Sequence, residues 1–203
     1  MILAYAARGL THLPGDAANR IDIVPVDHVA HACVVAAAHP PEERLRTIAI
    51  ASSARNPLAI GELAVHIREY FRRHPLPGRN GKPIEIGELQ FVERRVALRK
   101  TVRREHLASG LARMAIASPV RIPQERLLRS NRTLAERVTR MVKIYGAYTE
   151  LDCVFDDANA VALARSLPEA DRAELPFDTA AIGWEDYLRG VHLPEVRKLA
   201  TGE

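Results

Sequence analysis

Two short apolar runs, each followed by a helical pattern, are the only clear strand material in residues 1–75. Two strands do not make an independent sheet. Residues 20–26 read as the first strand, and Asp27 stands where an N-cap belongs, ahead of a helix over 28–39 that Pro40-Pro41 ends. That helix is rich in Ala and Val and is expected to be largely buried. Residues 46–51 read as the second strand. Pro57 suits a first helical turn with Asn56 as its cap, and Leu58, Leu63, Ile67, Tyr70 and Phe71 then mark one face of an amphipathic helix over 58–73. The opening is therefore β-α-β-α, and its sheet expects neighbours from elsewhere.

The rest is almost all helical. Residues 74–87 hold three Pro and three Gly and form the best internal boundary, giving an α/β part over 1–87 and a mainly α-helical domain over 88–203. Helical spacing places Leu107, Leu111 and Met114 on one helix over 91–117, which Ser118-Pro119 interrupts. A second long helix over 124–149 carries Leu127, Leu128, Leu134, Val138, Met141 and Val142. Asp156-Asp157 can open a helix over 158–167. Asp178 can cap a last segment whose apolar surface comes from Ile182, Trp184, Tyr187 and Leu188.

At 47% hydrophobic and 27% charged residues the chain is globular rather than disordered. Cys33 and Cys153 make no disulfide framework and read as small buried hydrophobes of a reducing cytosol. No apolar run reaches the length of a membrane span, and Met1 to Tyr5 does not resemble a signal peptide, so the expected location is cytoplasmic. The net charge of +4 hides an asymmetry: residues 91–143 carry 14 Lys/Arg against 4 Asp/Glu, and residues 144–203 carry 5 against 12. The simplest account is that the basic middle and the acidic tail pack near each other. The basic charges are spread around helices without interleaved aromatics, which argues against nucleic acid. A phosphorylated cofactor such as coenzyme A, an acidic carrier protein or an anionic membrane surface is the remaining class of partner.

Motifs of chemistry are few. There is no G-x-G-x-x-G, Walker loop, paired C-x-x-C or H-E-x-x-H. His28 and His31 share a helix face, but no third ligand accompanies them, so they read as a partly exposed pair. Tyr145 and Tyr148 lie near Lys143, yet no Tyr has a Lys four residues later, and both read as core tyrosines. In open α/β sheets ligands bind beyond the carboxyl ends of strands, which makes Ile23, Pro25 and Val26 candidates for a pocket wall.

The segments AYAARGLTHLPGDAANRIDIVPVDHVAHA (4–32), IAIASSARNPLAIGEL (48–63), HPLP (74–77), GKPI (81–84), KIYGAY (143–148), FDDANAVAL (155–163), LPFDTAAIGWEDYL (175–188) and HLPEVRKL (192–199) occur in this order. In this the chain resembles the C-terminal part of fatty acyl-coenzyme A reductases, the alcohol-forming or male-sterility type of extended short-chain reductase. The resemblance spans nearly the whole chain and is weakest over 88–130. It implies the closing α/β tail of a Rossmann-type NADPH-binding domain, then a helical domain that helps enclose a long acyl chain, with Phe155 and Trp184 among the enclosing residues. The implied substrate is a long-chain acyl-CoA or acyl carrier thioester, reduced by NADPH to aldehyde or alcohol. The glycine-rich loop and the Tyr-x-x-x-Lys pair of the family are not in this sequence and would lie in an upstream Rossmann half. The chain alone is then expected to be unable to transfer hydride. The alternative is a non-catalytic helical module that binds acyl chains or a partner. A related reductase of carrier-bound thioesters or sugars fits less well, because such enzymes lack the FDDAN and GWEDYL pieces.

Overall fold

A computed structural model describes residues 1–40, 47–78, 81–117 and 125–202, with side chains outside 115–130. The chain is mostly helical, with α1 (Ile2–Ala6), β1 (His12–Pro14), β2 (Arg20–Ile21), α2 (Val26–Ala38), β3 (Leu58–Ala59), α3 (Ile60–Arg73), β4 (Gln90–Val92), α4 (Arg94–Ala117), α5 (Glu125–Glu150), α6 (Ala158–Ser166) and α7 (Glu169–Glu174). A short 3-10 turn over Thr179–Ala181 leads into a last helix, in which α8 (Trp184–Asp186), a π-helical stretch (Tyr187–His192) and α9 (Leu193–Thr201) follow without a break. Pro194, which has no N–H to give to the preceding turn, sits just past the π stretch.

The strands pair as two small ribbons. β1 runs parallel to β4 with Leu13 opposite Phe91, and β2 runs antiparallel to β3 with Ile21 opposite Leu58. The expected strand over 20–26 therefore shrinks to two residues, since Pro25 ends it as the N-cap of α2. Residues 47–51 make no ladder; Ile48 and Ile50 instead pack beside a small core. Position 46 lies outside the described residues.

The main core is built on α3. Ile60, Leu63, Ile67, Tyr70 and Phe71 are buried along one face as the spacing predicts, and they meet Tyr5, Leu10 and Leu13 with Trp184, Leu188 and Leu193 of the last helix. The helix starts at Ile60 rather than Leu58, and Asn56 does not cap it. α4 and α5 lie antiparallel, with Arg94 Nη1 3.7 Å from Glu150 at the far end of α5. β1 fastens this hairpin: Thr149 Oγ1 donates to the Pro14 carbonyl at 2.6 Å, and Asn19 Nδ2 donates to the Thr149 carbonyl at 3.0 Å. Gly15 is required there. Its φ is +118° and an added Cβ would stand 2.1 Å from the Thr149 oxygen.

Three expectations about burial fail. On α2 only Ala32 and Val35 are buried, while Val26, Val29, Cys33 and Val34 are exposed. On α4, Leu107, Leu111 and Met114 are exposed. Tyr145, Tyr148 and Cys153 are exposed as well. Helical spacing collects such residues on one face, but a second surface must exist to cover them. Leu127, Leu128 and Ser118-Pro119 lie outside the described side chains.

Candidate functional site

Four segments that are far apart in sequence converge on one side of the molecule. Asp22, just after β2, receives the loop that follows residue 51. Its carboxylate accepts the N–H groups of Ser52 at 3.1 Å and Ser53 at 3.2 Å, and the Ser53 hydroxyl at 2.5 Å. Both serines are buried. The Ser53 oxygen in turn accepts the Phe155 N–H at 3.0 Å.

The same loop holds the tail. Arg55 donates through Nε to Asp157 Oδ2 at 2.8 Å, and its Nη2 lies 2.8 Å from both Asp157 and Asp178. Asp157 is buried, with 6% of its side chain exposed, so the guanidinium is what allows a charge there. Asn56 Nδ2 donates to the carbonyls of Thr179 at 2.9 Å and Ile182 at 2.8 Å, and its own carbonyl accepts the Trp184 indole N–H at 3.2 Å. The Thr179 hydroxyl donates to the Ala51 carbonyl at 2.7 Å, and Asn159 Nδ2 to the Thr47 carbonyl at 2.8 Å. The acidic tail is thus tied chiefly to the first part of the chain, through Arg55 and through Arg20 with Asp152 at 2.7 Å. Among the ion pairs of the described residues Arg94–Glu150 joins it to the basic middle, which also shares the main core with the last helix. This corrects the simple picture of middle against tail.

Beside this clamp opens a cleft of about 810 Å³. Its walls are the start of α2, residues 50–55, α6, the 175–183 loop and the π-helical stretch. The apolar surface comes from Ile50, Ala160, Val161, Ala164, Phe177 and Ile182, above a small core of Ala32, Val35, Leu163 and Leu167. Arg165, Arg172, Asp27 and Asp186 also line it and are exposed. His31 Nδ1 lies 2.8 Å from the Pro176 carbonyl and pins the loop to α2. Burial, aided by the His31 charge, lowers the His28 pKa against the opposing pull of Asp27 and Asp178. Its Nδ1 is buried without a hydrogen-bond partner. Partial burial pushes the Asp178 carboxyl up, but the Ala180 N–H, Arg55 and His28 outweigh it and hold the acid below its ordinary range. Burial and the Asp27 charge push Tyr187 up.

Among the described residues no Ser, Cys or Lys lines the cleft, and the hydroxyl of Thr179 in its wall is spent on Ala51. Among the described residues no group of His, Cys, Asp and Glu could hold a metal ion. The arrangement is an apolar-walled cleft with several charged side chains in its lining.

No family model matches the chain. Fatty acyl-CoA reductase 8 of Arabidopsis thaliana is 30% identical over 203 residues, which cover 96% of this chain and 40% of that protein. Fatty acyl-CoA reductase 2, chloroplastic, of the same plant is 27% identical over 209 residues, 98% of this chain and 33% of that protein. The alcohol-forming fatty acyl-CoA reductase of Simmondsia chinensis is 29% identical over 188 residues, 87% of this chain and 37% of that protein. The chain is homologous to the fatty acyl-CoA reductases. It spans between a third and two fifths of the length of these relatives.

Four of the eight segments that carry the resemblance meet in space: Asp22 of IDIVP, Ser52 to Asn56 of SSARN, Phe155 to Asn159 of FDDAN, and the 176–184 stretch. Of the residues expected in a pocket wall, Pro25 lines the cleft. Ile23 packs against the main core, and Val26 is 76% exposed. Phe155 is 53% exposed at the edge of the clamp, and Trp184 is buried in the main core. Sequence reasoning did not single out Arg55, Thr179, Arg165 or Arg172, and it gave Asp157 only the opening of a helix, a position it does occupy. For Arg55 a signal existed, a lone Arg inside the quoted segment 48–63, but nothing in the spacing says that its partners lie over 100 residues away.

Proposed function

We propose that this chain is the C-terminal part of an NADPH-dependent fatty acyl-CoA reductase, and that its cleft encloses the acyl chain of the thioester. The observation that carries the reading is that segments bearing the resemblance wall one cleft, through Pro25, Arg55, Asp157, Ala160, Phe177 and Ile182, beside the clamp that holds them together. Its volume falls within the ~300–1,000 Å³ typical of small-molecule sites. The six apolar side chains along its wall remove methylenes from water, at roughly 0.8 kcal/mol for each buried CH₂.

The chain's own residues do not fit a dinucleotide. Among the described residues no glycine-rich turn joins a strand to the N-terminus of a helix. Hydride transfer is therefore assigned to the upstream Rossmann half, and this chain closes the sheet and covers the acyl chain. The exposed Val26, Val29 and Val34 of α2, and the exposed Leu151, Val154 and Phe155, supply apolar surface for that half.

Binding of a fluorescent long-chain acyl probe to the chain tests the cleft. Displacement by palmitoyl-CoA, and loss of binding in Val161→Trp, which fills the cleft, are expected. Equal binding by wild type and Val161→Trp would place the acyl chain elsewhere. Binding retained with no reductase half able to restore NADPH oxidation would favour the non-catalytic acyl-binding module.

A further inference from the structure

The α4–α5 hairpin carries a surface that the acyl cleft does not use. Leu107, Leu111 and Met114 recur at i, i+4 and i+7, so they form one stripe, and they are 60%, 53% and 71% exposed. Leu107 and Leu111 also edge a shallow groove of about 260 Å³ against Leu134 and Ala135 of α5. Three large apolar side chains in a row on a solvent-facing helix are a patch with a use, not scattered exposure.

The surroundings of the stripe are cationic. By helical spacing Lys100 and Arg103 precede it on the same face, Arg104 lies beside it and Arg99 flanks it on the other side, while Arg113 turns away from it. Glu105 falls on the far side of the helix. Glu136 on α5 is taken up by Arg132 at 2.7 Å. Arg104 is anchored to the carbonyls of Arg8 and Gly9 at 3.1 and 2.9 Å, which fixes the helix on the body of the molecule. Lys100 Nζ lies 2.6 Å from His12 Nε2. Arg99, Arg103 and Arg113 are exposed. The segment 91–143 has 14 basic against 4 acidic residues.

We propose that this face of α4 docks on an anionic lipid bilayer, with Leu107, Leu111 and Met114 entering the headgroup–acyl boundary and the arginines beside them meeting lipid phosphates and carboxylates. An apolar stripe with basic flanks, whose acidic neighbour Glu136 is already paired with Arg132, is complementary to such a surface. No described helix is long and apolar enough to cross a membrane, so the contact is peripheral. The inference stands on α4 and is independent of what fills the cleft.

Vesicle co-sedimentation of the chain tests it. The chain is expected to sediment with mixed phosphatidylcholine–phosphatidylserine vesicles, to stay in solution with phosphatidylcholine alone, and to be released by high salt. The triple variant Leu107→Gln/Leu111→Gln/Met114→Gln should bind the mixed vesicles on the order of tenfold more weakly. It should keep the circular dichroism spectrum and melting temperature of the wild type, because the three side chains are exposed. Val29→Gln/Val34→Gln on α2 should bind the vesicles as the wild type does. The proposal is overturned by sedimentation that ignores the anionic lipid, or by a triple variant that binds undiminished. It is equally overturned if the wild type is a dimer that the triple variant dissolves, which would make the stripe an interface between copies.

Discussion

Replacing Arg55 with Met should show how the tail is held. The change keeps most of the side chain's volume and removes the guanidinium shared by Asp157 and Asp178. Asp157 is buried, so it is left as an uncompensated charge, a situation that costs about 3–5 kcal/mol when both partners are fully buried. Arg55 is one-third exposed and Asp178 more so. Water can therefore reach part of the network, and the lower end, about 3 kcal/mol, is expected. For a chain of this size that corresponds to a fall in Tm of about 6–12 °C. Thermal unfolding followed by circular dichroism measures it. Adding Asp157→Asn removes the stranded charge, so Arg55→Met/Asp157→Asn should melt above Arg55→Met alone. Arg20→Met, at the exposed Asp152 pair, should shift Tm far less. A single variant that melts within a degree or two of wild type, or a double variant that falls further still, would refute the reasoning.

Other consequences follow from the same geometry. Gly15→Ala places a methyl group into the Thr149 carbonyl at a backbone conformation that favours glycine, and should cost at least ~2 kcal/mol in urea unfolding. Trp184→Ala empties a buried site and frees the Asn56 carbonyl, so about 3–5 kcal/mol should be lost. Phe155→Ala, at a half-exposed position, should cost under ~1 kcal/mol by the same assay. Arg20 hydrogen bonds hold the Asp152 carboxyl down at about 2, against 3.8 ordinarily. The folded state then binds that proton less readily than the unfolded chain, so the contribution is full above pH 3.8 and is lost as pH falls toward 2. Tm measured against pH should flatten across that window in Asp152→Asn.

How much of this was legible depended on whether the partner surface was local. α3 could be read from Leu63, Ile67, Tyr70 and Phe71 because a strongly one-sided helix must bury that side, and the body of the chain supplies the cover. α2 and α4 carry apolar residues too, yet periodicity names a face without naming what lies over it, and here much of each face meets solvent. The strands misled for a related reason. A β-segment exists through its ladder, and residues 20–26 and 47–51 have apolar character but little backbone to pair with. Asn56 looked like a cap because a cap is the local use of an Asn before Pro. Its amide instead reaches the carbonyls of Thr179 and Ile182, a choice settled by tertiary packing. The cleft could be read only in outline, through Pro25 and the order of the family motifs. Its wall is assembled from α2, α6 and two loops whose meeting no spacing rule foretells.

The central claim is that this chain completes a fatty acyl-CoA reductase by covering the acyl chain. The direct test is palmitoyl-CoA-dependent oxidation of NADPH, followed at 340 nm in the usual absorbance assay, by the Rossmann half of such an enzyme with and without this chain. The account predicts no turnover from either piece alone, turnover from the two together, and a loss in Val161→Trp that is larger for long than for short acyl chains. Turnover by the Rossmann half alone at the rate of the pair, or a Val161→Trp effect that is the same at every chain length, would contradict it.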